Sequence, residues 1–119
     1  MVLVDTSIWV SHLNTGDAHL KSLLERGEVA CHPFTIGELA CGNIRNRAEV
    51  LSLLRALPMA RVAEHDEMLD FIDRQSLMGT GLGLIDVHLL ASALLSRAPL
   101  WTVDKSLAAA SIQLEISYQ

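Results

Sequence analysis

Short apolar runs recur along this chain, and helical segments fill the gaps between them. The runs are Val2 to Val4, Val29 to Cys31, Met59 to Val62, Leu100 to Val103 and Leu114 to Ser117. Apart from Leu114 to Ser117, none alternates with polar residues, so these runs read as strands covered on both faces. The helical segments carry apolar residues at three- and four-residue spacing: Leu20, Leu23 and Leu24; Val50, Leu51 and Leu54; Met68, Leu69 and Ile72. Strand–helix alternation of this kind predicts an α/β domain, three layers deep, with a largely parallel sheet. Its crossovers are right-handed, and its ligands sit outside the carboxyl ends of the strands.

The 119 residues allow one domain, taken as residues 1–119. Half of them are hydrophobic, 19% are charged and the mean hydropathy is +0.33, which excludes disorder. This is more apolar than a free-standing domain needs, and the excess predicts a dimer face or a partner groove. Nine bases against 14 acids exclude a protein held on nucleic acid by a broad basic face. At 4% aromatic residues, an aromatic base-stacking platform is excluded too. Cys31 and Cys41 form neither CxxC nor a zinc set, and read as reduced, mostly buried thiols. The N-terminus has no basic region like that of a signal peptide. No apolar stretch reaches the ~20 residues that span a bilayer. A soluble, cytoplasmic protein with no membrane association is expected.

Local signals place the helix boundaries. Thr6 or Ser7 can cap a helix bearing Ile8, Trp9 and Leu13, and Asp17 caps Ala18 to Arg26. Thr35 caps a helix through Glu38 that ends near Gly42, and Ala48 to Leu57 is stopped by Pro58. His65 to Leu77 and Leu107 to Ala110 are further helices. Leu84 to Ser96 is apolar almost all round, so it is a central, buried helix.

Four carboxylates interrupt these apolar surroundings. Asp5 ends the first strand and Asp104 follows the fourth. Glu38 lies inside Thr-Ile-Gly-Glu-Leu-Ala, and Asp86 inside Gly-Leu-Ile-Asp-Val-His-Leu-Leu-Ala-Ser. Each is expected to be partly buried, and each has a structural alternative. Asp5, Asp86 and Asp104 could cap helices, and Glu38 could close a capping box with Thr35. If the four converge, they repel one another, and a hard divalent cation relieves the repulsion. All-oxygen donors suit magnesium or manganese. Such a site prepares a water to hydrolyse a phosphodiester and stabilises the leaving oxygen. Setting these four aside leaves ten acids against nine bases, so most of the negative excess belongs to the proposed site.

These segments together resemble the PIN-domain ribonucleases, and within them the VapC toxins of bacterial toxin–antitoxin pairs. The matching pieces are Val4-Asp5-Thr6-Ser7-Ile8-Trp9, Pro33-Phe34-Thr35-Ile36-Gly37-Glu38-Leu39-Ala40, the Asp86 segment from Gly83 to Ser92, and Leu100-Trp101-Thr102-Val103-Asp104-Lys105-Ser106-Leu107. The resemblance implies a PIN-like five-stranded parallel sheet in the order 3-2-1-4-5. It implies a magnesium- or manganese-dependent endoribonuclease whose Asp5, Glu38, Asp86 and Asp104 hold the metal or orient its waters. Thr6, Ser7 and Thr102 match polar positions that supply accessory hydrogen bonds. Some relatives carry a further acid just after the last Asp; here Lys105 and Ser106 follow, which bears on a second metal ion. The resemblance also implies a VapB-type antitoxin lying over the site and a homodimer, with Trp9, Leu13, Leu51 and Leu54 as groove candidates.

Other residues add less. Arg45 and Arg47 could reach an RNA phosphate at the site edge. His12, His32 and His88 could carry protons, but packing roles suit them better. Gly79-x-Gly81-x-Gly83 follows a helix rather than a strand, so it is no dinucleotide fingerprint. The rival reading is a catalytically silent PIN-fold binding module acting through its partner. Four mutually repelling carboxylates have no physical reason to persist in such a module.

Overall fold

The computed structural model describes residues 1–119. Three strands form the sheet: β1 (Val2–Val4), β2 (Val29–Ala30) and β3 (Leu100–Trp101). Seven helices surround it: α1 (Thr6–Thr15), α2 (Ala18–Glu25), α3 (Pro33–Ala40), α4 (Arg47–Arg55), α5 (His65–Arg74), α6 (Leu84–Ser96) and α7 (Lys105–Gln113). The strands run parallel in the order β2-β1-β3, with Val2 beside Val29 and Leu3 beside Leu100.

One isolated parallel bridge lies at each edge, Cys31 with Met59 and Leu100 with Ser117. The expected third and fifth strands are thus reduced to single contacts, although each sits on the side the predicted order requires. At the first edge the backbone ladder ends quickly: Ala60 N–H reaches Cys31 O, but Arg61 N–H donates to Ser96 Oγ at 2.8 Å. At the other, Glu115 takes a left-handed φ of 60° just before the bridge. Edges this short offer little for another chain to pair with.

The strand period sorts the core into two halves. Leu3 faces one layer with Ala30 and Leu100, packed against Met68, Phe71, Leu90 and Leu107 from α5, α6 and α7. Val2, Val4 and Val29 face the other, against Ile8, Trp9, Leu20, Leu23 and Leu51 from α1, α2 and α4. Alternate residues of one strand point to opposite faces, so three residues of β1 serve both cores. In α6, every residue from Val87 to Ala93 is buried, as its composition predicts.

Several local expectations need correction. Asp5 itself caps α1, accepting from Ser7 N–H, rather than Thr6 or Ser7. His32 caps α3, with Pro33 in the first turn where its missing N–H costs nothing; Thr35 is buried inside the helix. α5 ends at Arg74 because Ser76 turns left-handed, and α7 runs on to Gln113. Cys31 is buried but Cys41 is exposed. Of the groove candidates, Trp9, Leu51 and Leu54 belong to the core, and only Leu13 is half-exposed. His32 and His88 are buried packing residues.

Candidate active site

Asp5 sits where β1 stops and α1 begins, 5% exposed. A buried carboxylate needs donors, and three arrive at one oxygen. Ser7 Oγ donates to Oδ2 at 2.7 Å, Thr102 Oγ1 at 2.8 Å and Ser7 N–H at 3.3 Å. Each hydroxyl has only one proton, and both are spent on Asp5. The 3.4 Å separation between Ser7 Oγ and Thr102 Oγ1 is therefore a contact, not a hydrogen bond. Their lone pairs accept in turn from Val103 N–H at 3.3 Å and Asp104 N–H at 3.0 Å. The backbone after β3 is thereby tied, through two hydroxyls, to the carboxylate after β1. Such chains polarise in one direction and strengthen each member.

Asp104, held by this relay, caps α7 by accepting from Leu107 N–H at 3.0 Å on Oδ2. Asp86 stands in the first turn of α6 and accepts from Gly83 N–H at 3.2 Å on Oδ2. Gly79 and Gly81, with φ of 72° and 83°, bend the approach to that helix in a region closed to most side chains. Glu38 belongs to no capping box with Thr35; it reaches α1, where Thr6 Oγ1 donates to its Oε1 at 2.6 Å. Glu38 and Asp104 are exposed and Asp86 half-buried, so the expected partial burial holds for Asp86, is exceeded at Asp5 and fails at the other two.

In each of the four carboxylates, every hydrogen bond from the chain falls on one oxygen and the other is left without a partner. Capping and availability are compatible, because a cap consumes one oxygen only. No cation balances them either: the single ion pair of the molecule is Arg26 with Glu28, at 3.6 Å. Burial, and then the charges of Asp104 and Asp5, hold the Asp86 carboxyl above the usual range, against the bond from Gly83 N–H that lowers it. Three of the four acids therefore share one electrostatic field.

The donor set fits a hard cation in kind: oxygen only, uncompensated, with open valences. No three such side chains already close around one point.

Beside Glu38 and Thr6 opens a cleft of about 670 Å3 between α1 and the loop after α3. Arg45 lines it, whereas Arg47 is turned back on its own loop, donating to Gly42 O at 3.2 Å. The two arginines, equivalent in sequence, separate here. Asn14 and Asn43 also line the cleft; the sequence offered no signal for them beyond a polar residue near a helix end.

Comparison with known proteins establishes the family and the fold. Residues 2–112 match the family model described as the PIN domain. This chain belongs to the PIN-domain family. The PIN domain is 50% identical over 111 residues to ribonuclease VapC32 of Mycobacterium tuberculosis, in strains CDC 1551 / Oshkosh and ATCC 25618 / H37Rv. That match spans 92% of this chain and 90% of the relative. Among solved structures, PAE2754 from Pyrobaculum aerophilum shares the fold, with a TM-score of 0.61 at 21% identity. It covers 92% of this PIN domain and 78% of that chain.

Proposed function

We propose that this PIN domain is the endoribonuclease toxin of a toxin–antitoxin pair, with Asp5, Glu38, Asp86 and Asp104 as its metal-binding and catalytic residues. The observation that carries this reading is the set of four carboxylates, each with one oxygen held and one free, in a molecule that supplies no cation to them. The 50% identity to a protein called a ribonuclease gives the reaction class.

Asp5, Asp86, Glu38 and Asp104 would hold magnesium, with manganese able to substitute. When bound, the cation supplies Lewis-acid stabilisation of phosphate charge and lowers the pKa of an attacking water. The chain's own contribution is positional. Ser7 and Thr102 orient Asp5 so that its free oxygen is presented in one direction. Thr6 orients Glu38 in the same way. Asp104 and Asp86 are set by the first turns of α7 and α6, whose backbone dipoles favour negative charge there. Arg45 offers a fork of donors to an RNA phosphate beside Glu38. Arg47 serves the loop that carries Arg45 rather than the RNA itself.

A VapB-type antitoxin and a second copy of the chain complete the proposal. An apolar crevice of about 300 Å3, bordered by Leu13, Leu24 and the exposed Leu53, supports a protein partner on the α1–α2–α4 side. A cytoplasmic setting fits a chain in which no helix is long and apolar enough to cross a membrane.

The test is cleavage of total cellular RNA by the purified chain with magnesium, with manganese and with EDTA, beside Asp5→Asn. Discrete fragments that require both metal and Asp5 are expected. Full activity in a folded Asp5→Asn variant, or in EDTA, overturns the assignment.

A further inference from the structure

We infer that the cleft beside Glu38 is a selectivity subsite that takes one unpaired RNA base, read by the side-chain amides of Asn14 and Asn43. The inference rests on the nuclease reading and deepens it. Three features of the cleft point the same way.

The first is its place. Thr6 and Glu38 form one wall, so whatever fills the cleft lies next to the proposed reaction centre. The second is its size, about 670 Å3, within the roughly 300–1,000 Å3 of small-ligand sites. The third is its chemistry. Val10, Leu13 and Ile44 give an apolar surface, while Asn14, Asn43 and Arg45 supply the polar groups. None of these three polar side chains has a hydrogen bond or ion pair within the chain. Uncommitted amides and an unpaired guanidinium around an apolar surface match a nucleotide: a flat apolar face, a donor–acceptor edge and a phosphate.

An amide presents donor and acceptor together, so it can pair with the edge of a base and distinguish one base from another. Such an edge is accessible only in unpaired RNA, which is where sequence-specific RNA recognition concentrates. The cleft contains no aromatic residue, so the base would rest on aliphatic side chains. Binding there would depend on edge contacts more than on sequence-tolerant stacking. The carboxylates of an acidic protein segment could take Arg45 and the amide N–H donors but would leave both amide oxygens unpaired, whereas a base edge offers donor and acceptor together; the RNA occupant is favoured for that reason.

The experiment has two arms. In the first, short single-stranded RNAs randomised at every position are cut by the parent, Asn14→Ala, Asn43→Ala and Asn43→Asp, and the ends are sequenced. The parent is expected to prefer one base at a fixed place near the cut. Either alanine variant should reduce that preference by about tenfold or more, since one good bidentate contact discriminates by about 1–3 kcal/mol. Asn43→Asp, which can only accept, should shift the preference toward bases that donate, an outcome no purely structural role produces. Melting curves confirm that the variants fold. In the second arm, the same RNA pool is bound to immobilised Asp5→Asn, with and without Asn14→Ala or Asn43→Ala.

Base preference unchanged in folded variants overturns the inference and leaves the nuclease standing. No cleavage by the parent, with base-selective binding that the alanine variants lose, overturns the nuclease and keeps the subsite. Neither cleavage nor selective binding overturns both. Unchanged RNA selection in both arms overturns the RNA occupant and leaves the cleft to a protein one.

Discussion

Two hydroxyls decide the state of Asp5. Ser7 and Thr102 give it their only protons, so removing either leaves a buried charge short of a donor. Ser7→Ala or Thr102→Ala should cost about 1–3 kcal/mol. That corresponds to a melting temperature lower by roughly 4–12 °C for a domain of this size. Cleavage should fall mainly in kcat, because the carboxylate is misdirected rather than lost. Asp86 behaves in the opposite way. Its carboxyl is held above the usual range by burial and by Asp104 and Asp5. The folded chain therefore keeps that proton to a higher pH than the unfolded chain does. Stability is thus lost as pH rises through the carboxylate range. Asp86→Asn should raise the melting temperature of metal-free protein at neutral pH while abolishing cleavage. The gain should vanish as pH falls below the ordinary carboxylate range. An unchanged melting temperature would place Asp86 outside the shared field. That these acids stand apart from their apolar neighbours was legible from sequence. Which oxygen of each was free was not, because capping and catalysis select the same residues.

At the scale of elements, the clearest case is the junction of β2 with α3. His32 Nδ1 accepts from Phe34 N–H at 3.0 Å and so carries no proton. Its Nε2–H then faces Ser92 Oγ on α6, at 3.0 Å. One neutral imidazole both caps α3 and ties it to the central helix. Burial, and to a lesser degree the nearby His88, lower its pKa to about 4. The unfolded chain therefore takes up this proton first. Stability is full above pH 6.5 and is lost as pH falls toward 4, by on the order of 3 kcal/mol. Asn at this position keeps a cap acceptor and removes the titration. His32→Asn should thus flatten the acid limb of the melting-temperature profile. If the limb persists, another group governs it. From sequence, Thr35 was the better cap, because hydroxyls cap helices more often than imidazoles do. The contact with Ser92 spans 60 residues, and no local signal could have revealed it.

For the molecule as a whole, the prediction concerns ion linkage. A cation that binds only the folded state adds about 2.7 kcal/mol at a hundredfold excess over Kd. Melting temperature should climb with magnesium or manganese, and Asp5→Asn should blunt the climb. A flat response across millimolar metal would count against joint action of the four acids.

The alternation of apolar runs and helical segments was enough to determine an α/β fold with a parallel sheet, its strand order given by family resemblance. The same sequence marked Asp5, Glu38, Asp86 and Asp104. These follow from local composition: a strand's hydrophobicity and an acid's dislike of apolar surroundings are properties of neighbouring residues. The shrinkage of both sheet edges to single bridges, the relay from Val103 and Asp104 through two hydroxyls to Asp5, and the separation of Arg45 from Arg47 were decided by the tertiary structure alone. Each depends on where one backbone donor or one carbonyl finds its partner among residues distant in the chain. That choice is made by packing, after the local preferences have been spent.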